Sequence, residues 1–97
     1  MNIKILKYDQ DFNQVNDNVD VEVFLDNGKR YAATFFTIEN IISILNKYKE
    51  TKECCNGLYF WASDMIIVEN LNDKVINKTI QDLIKNEEFH HAFSLLE

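Results

Sequence analysis

The chain has 97 residues, a net charge of −6 and a hydrophobic fraction of 46%, which fits one domain with one core and no deep active-site cavity. Its apolar runs are shorter than the roughly 20 residues of a membrane-spanning helix. The N-terminus lacks the apolar run of a signal peptide. Because phosphate binding needs clustered Lys and Arg, the acidic balance argues against nucleic acid. We therefore expect a single cytoplasmic domain over residues 1–97 that binds neither membrane nor nucleic acid.

A first strand is predicted over Ile3–Tyr8, followed by a polar loop over residues 9–18. The next segment alternates between apolar and polar residues from residue 19 to residue 26, the period of a half-buried strand. Asn27-Gly28 then favours a type I′ turn with a two-residue loop. That turn pairs Phe24 with Tyr31 and Val19 with Phe36.

This register separates the hairpin into an apolar face and an outer face. The outer face is expected to carry Asp20, Glu22, Phe24, Tyr31 and Phe35. Aromatic side chains among carboxylates are either covered by the N-terminal segment or offered to a partner. Cross-strand pairing of Phe24 with Tyr31 would also explain these two rings without any ligand.

Two amphipathic helices follow the expected capping rules. Thr37 is placed to cap a helix that ends near Glu50, and Asn72 is placed to cap a second one. A last short helix is predicted from the apolar spacing that begins at Phe89.

The apolar segment Leu58–Glu69 contains the only Trp of the chain. With Ser63-Asp64 as a turn, it would form a second hairpin, apolar on both faces and therefore central in the sheet. An alternative places both residues inside one bulged strand. Two interpretations of Trp61 are open. It is a core residue, or it lies beside Asp64 at the hairpin tip and anchors a partner.

The element order is therefore β-ββα-ββα-α. It predicts an α+β fold, with an antiparallel sheet of about five strands and with the helices packed on one face.

No catalytic, cofactor or metal motif stands out. His90 and His91 are neighbours and point in different directions on a helix, so they cannot chelate as an i, i+4 pair would. Cys54 and Cys55 are vicinal and are expected to stay reduced. We therefore expect no enzyme activity, no cofactor and no metal.

Two runs carry a resemblance, Tyr-Ala-Ala-Thr-Phe-Phe-Thr-Ile-Glu-Asn-Ile from residue 31 and Tyr-Phe-Trp-Ala-Ser-Asp-Met-Ile-Ile-Val-Glu from residue 59. Over roughly residues 19–85 the chain resembles small acidic bacterial immunity proteins of polymorphic toxin and contact-dependent growth inhibition systems. The resemblance implies a cytoplasmic protein that binds and neutralises a cognate toxin C-terminal domain, often a nuclease.

Such inhibition needs only stoichiometric occlusion by a monomer or a homodimer. The predicted contact residues fall into two patches, Asp20, Glu22, Phe24, Tyr31 and Phe35 on the first hairpin, and Trp61 with Asp64 on the second. The competing hypotheses are a homo-oligomeric structural or regulatory module and a small enzyme with an unfamiliar site.

Overall fold

The structure is a computed structural model that describes residues 4–7 and 13–96. Its strands are β1 (Lys4–Lys7), β2 (Asn18–Phe24), β3 (Arg30–Thr37), β4 (Met65–Val68) and β5 (Ser94–Leu95). Its helices are α1 (Ile38–Thr51), α2 (Glu53–Gly57), α3 (Asp73–Lys85) and α4 (Phe89–Ala92). None of these helices is both long and apolar enough to cross a bilayer within the described part of the chain. Ile3 and Tyr8, the predicted ends of the first strand, lie outside the described residues.

The sheet is mixed, and its strands lie in the order β1-β2-β3-β4, with the two-residue β5 also beside β3. The α+β class is confirmed, but the antiparallel sheet of five strands is not. β3 and β4 are parallel, because α1 and α2 connect them and return the chain to the same end of the sheet. Parallel neighbours need such a crossover of a dozen or more residues.

The first hairpin differs from the predicted one in its turn and its register. Gly28 N–H donates to the Leu25 carbonyl at 3.0 Å, and Leu25 N–H donates to the Lys29 carbonyl at 3.2 Å. Gly28 has a positive φ of 77°, whereas Asn27 does not have a positive φ. The loop therefore has three residues, a type I turn followed by a left-handed glycine, instead of a two-residue type I′ turn. The extra residue moves the pairing by one position.

The shifted register determines which side chains enter the core. Val19 pairs with Phe35, and Val23 pairs with Tyr31. Because paired residues share a face of the sheet, Tyr31 and Phe35 lie with the valines and not on the outer face. This core face packs against α3 and α4 through a cluster that includes Leu71, Ile76, Ile80, Phe89 and Phe93.

The expected packing of all helices on one face is wrong. Phe36 lies on the outer face, opposite to Phe35, and its ring contacts Phe60 with 5.4 Å between the centroids. Phe60 in turn lies 6.3 Å from the ring of Tyr48 on α1. α1 is therefore connected to the outer face through Phe60, whereas α3 and α4 cover the core face.

Both predicted helix caps are confirmed. Asn40 N–H donates to the Thr37 hydroxyl at 3.1 Å at the start of α1, and Val75 N–H donates to the Asn72 side-chain oxygen at 2.8 Å at the start of α3. α3 buries Ile76 and Ile80 as its apolar spacing indicates. α1 has an apolar stripe but buries none of its residues fully.

The predicted second hairpin does not form. Ser63 and Asp64 do occupy a turn, and Asp64 has a positive φ of 53°. However, Leu58–Ala62 contains no strand, and β4 pairs with β3 at the edge of the described sheet instead of lying in its middle. The apolar run before the turn crosses beside α1 as irregular chain.

The chain after α1 forms a turn whose backbone has a left-handed conformation. Cys54, Cys55 and Asn56 have φ values of 48°, 52° and 59°, and Gly57 has a φ of 77°. Leu58 N–H closes this turn by donating to the Cys54 carbonyl at 3.1 Å. Left-handed backbone costs roughly 1–2 kcal/mol per residue with a side chain, so this reversal is strained.

Candidate functional site

The first predicted patch does not exist as one surface. Tyr31 is 5% exposed and Phe35 is fully buried. The Tyr31 ring contacts Phe89 at 5.2 Å, and the Phe35 ring contacts Phe93 at 6.1 Å. Both aromatic residues are therefore part of the core that joins the sheet to α4. The one-residue change of register accounts for this, because it reverses the face of every side chain on one strand.

The acidic members of that patch remain on the outer face but in different environments. Glu22 is only 3% exposed, and its Oε1 lies 3.2 Å from Arg30 Nε. It is thus a buried member of an ion pair and not a surface carboxylate. Asp20 is exposed and accepts a hydrogen bond of 2.7 Å from the Thr34 hydroxyl. Phe24 is half-buried.

Trp61 belongs to the surface. Its side chain is 68% exposed, so the hypothesis of a core tryptophan is wrong. Phe60, the preceding residue, inserts between Phe36 and Tyr48. Phe60 therefore fixes the segment against the protein while the neighbouring Trp61 remains in solvent. A tryptophan held on an anchored segment loses little conformational entropy when it meets a partner.

Other exposed apolar side chains are neighbours of Phe60 in the chain or of Phe36 in the sheet. Tyr59 precedes Phe60 in the chain, and Leu58, the most exposed of them at 79%, precedes Tyr59. Ile67 is 53% exposed and pairs with Phe36 across the sheet, so it shares the outer face. We call Leu58, Tyr59, Trp61 and Ile67 the Trp61 surface. An exposed apolar group of this kind is typical of a protein interaction site.

Asp64 lies in the turn that leads into β4. Its Oδ1 accepts a hydrogen bond of 2.7 Å from Ser94 Oγ, and its carbonyl accepts one of 2.9 Å from Thr34 N–H. Asp64 therefore holds the start of β4 to the C-terminal strand β5. Its carboxylate remains close to the apolar residues of β4 because the turn at Ser63-Asp64 leads directly into that strand.

The histidines lie on α4 and the cysteines lie in the turn after α1. His90 and His91 are both exposed on α4, and the His90 ring lies 5.3 Å from Tyr31. Cys54 and Cys55 are free thiols in the left-handed turn. Among residues 4–7 and 13–96, no three side chains of the His, Cys, Asp and Glu types are arranged to hold a metal ion.

Sequence reasoning missed three members of the Trp61 surface, Leu58, Tyr59 and Ile67. It placed Tyr59 and Ile67 in a buried hairpin, because an uninterrupted apolar run is typical of a central strand. A useful signal was available in the 14-residue helix between two strand-like segments, since a helix of this length suits a parallel crossover. That connection makes Met65–Val68 a partner of β3 and removes the need for a hairpin.

No family model, curated protein or solved structure matches this chain.

Proposed function

We propose that this protein is a non-enzymatic immunity protein that binds a cognate toxin domain and neutralises it by stoichiometric occlusion. The observation that supports the proposal is the Trp61 surface, an exposed apolar group on an acidic chain. Trp and Tyr are enriched at the centres of protein interfaces, where they supply most of the binding free energy. Occlusion by such a surface requires no reaction.

The charge of the chain suits a basic partner. A net charge of −6 attracts a toxin domain with excess Lys and Arg, such as a nuclease, and increases the rate of association at low salt. Asp20 is exposed on the outer face, the face that also carries Ile67. The contact would therefore combine apolar anchors with a rim of carboxylates, and Asp20 remains a proposed contact residue whereas Tyr31 and Phe35 do not.

The test first asks whether the gene directly upstream encodes a large secreted protein with a variable C-terminal domain, and then uses that domain as the toxin. We expect co-expression with the present chain to restore growth and the two purified proteins to form a 1:1 complex. Titration of toxin activity should end at one equivalent, because occlusion consumes one molecule of inhibitor for each toxin. Neutralisation at a small fraction of one equivalent would instead indicate enzymatic inactivation, and the absence of any complex would overturn the proposal.

A further inference from the structure

β4 has an unused edge. The described sheet ends at β4, so no strand within residues 4–7 and 13–96 pairs with its outer side. Thr34 N–H donates to the Asp64 carbonyl, which directs the backbone groups of Ile66 and Val68 towards β3. Because these directions alternate along a strand, the N–H and C=O groups of Met65 and Ile67 point outwards. This edge therefore presents two donors and two acceptors.

Within Met65–Val68, the edge carries no charged residue and no proline. Proteins protect free edges with charged residues, prolines or bulges. The four residues of β4 are Met-Ile-Ile-Val, and the chain contains no proline. Ile67, which lies on the outer face, is more than half exposed. An added strand would thus gain backbone hydrogen bonds together with apolar contacts on one face.

Two carboxylates beside β4 indicate the charge of a strand that could pair with its free edge. Asp64 immediately precedes β4 and Glu69 immediately follows it. Because Met65 and Ile67 both point outwards, an antiparallel second copy would pair Met65 with Ile67, which brings Asp64 of one copy diagonally next to Glu69 of the other at both ends. Neighbouring like charges disfavour a partner, whereas opposite charges favour it. The edge therefore favours a strand with cationic ends over a second copy of this chain.

We propose that β4 binds an extended segment of the partner as an additional strand, with apolar residues at its centre and Lys or Arg at both ends. This inference rests on the proposed function, since the segment would belong to the toxin domain. The central residues would lie against Ile67 on the outer face, and the cationic ends would meet Asp64 and Glu69. Binding energy would then come from both the backbone and the apolar side chains.

Hydrogen exchange with two synthetic peptides tests the edge itself. One is Lys-Thr-Val-Thr-Val-Lys with blocked termini, and its control has Glu at both ends. We expect the Lys peptide at saturation to slow exchange of the Met65 and Ile67 amides about tenfold or more, with little change at Ile66 and Val68, which already donate to β3. The Glu peptide should protect neither. Equal effects of both peptides, or no protection by the Lys peptide, would overturn the proposed strand.

A parallel measurement with the toxin domain separates this inference from the proposed function. Protection of Met65 and Ile67 in the 1:1 complex is the expected result. A complex that forms without protection of these amides would overturn strand addition and leave the immunity function standing. Protection by the Lys peptide without any complex with the toxin domain would overturn the immunity function instead.

Discussion

Replacing Phe35 with alanine should remove about 4 kcal/mol from the free energy of unfolding, the usual cost of truncating a buried aromatic side chain. Phe35 is fully buried, pairs with Val19 and contacts the ring of Phe93 on α4. The substitution therefore opens a cavity where the sheet, α3 and α4 meet. Urea denaturation monitored by circular dichroism measures the loss.

Leu95→Ala is the control for this prediction. Leu95 is half exposed on β5, so its truncation should cost less than about 1 kcal/mol. If Phe35→Ala fails to fold, Phe35→Leu retains most of the buried volume and should fold with a smaller loss than alanine causes. Equal losses for Phe35→Ala and Leu95→Ala would mean that Phe35 lies on the surface, as the two-residue turn had predicted.

The second large effect is expected at Gly57. A Cβ atom there would lie 2.6 Å from the Leu45 carbonyl oxygen and 2.8 Å from the Lys49 backbone nitrogen. Both atoms belong to the backbone of α1 and cannot move aside like a flexible side chain. The positive φ adds a separate penalty for any residue with a Cβ. Together, the close contacts and the backbone strain should make Gly57→Ala less stable by about 3 kcal/mol.

Gly28→Ala separates the two contributions. Gly28 has the same φ of 77°, but a Cβ there would meet nothing within 4 Å. Its substitution should therefore show only the backbone penalty, about 1–2 kcal/mol. Thermal and urea unfolding of both variants measure the difference, which reports the packing of the left-handed turn on α1. Similar losses at the two glycines would contradict that packing.

Local signals predicted the features that depend on neighbouring residues. A Thr or Asn placed before an amphipathic run satisfies the first free N–H groups of a helix without help from the rest of the chain. Thr37 and Asn72 were therefore identified correctly, together with the approximate extent of α1. Ser63-Asp64 was also identified as a turn, since short polar side chains favour turns and tolerate positive φ.

The residues of the first hairpin fit two turn types, and each turn type gives a different strand register. Asp26-Asn27-Gly28 suits a type I turn with a left-handed glycine as well as Asn27-Gly28 suits type I′. The observed loop is supported by the Asn27 side chain, whose oxygen accepts a hydrogen bond from Lys29 N–H at 2.8 Å. That single added residue moved Tyr31 and Phe35 from the predicted partner surface into the core.

The parallel pairing of β4 is a contact between residues about 30 positions apart, for example Thr34 with Met65. Nothing in the segment Leu58–Glu69 distinguishes a local hairpin from pairing with an earlier strand. The exposure of Trp61 follows from this pairing, because the residues before the turn do not enter the sheet. The candidate site could therefore be located near Trp61 and Asp64 from the sequence, but its apolar neighbours could not.

Affinity for the toxin domain, measured by calorimetry for the wild-type chain, Trp61→Ala and Leu95→Ala, tests the central role of the Trp61 surface most directly. Because an exposed tryptophan on an anchored segment is a typical hot-spot residue, Trp61→Ala should weaken binding by about 2 kcal/mol or more, roughly a 30-fold rise in Kd. Its unfolding midpoint should stay close to that of the wild type. Leu95→Ala should retain wild-type affinity. Unchanged affinity of Trp61→Ala in a folded protein would contradict the assignment.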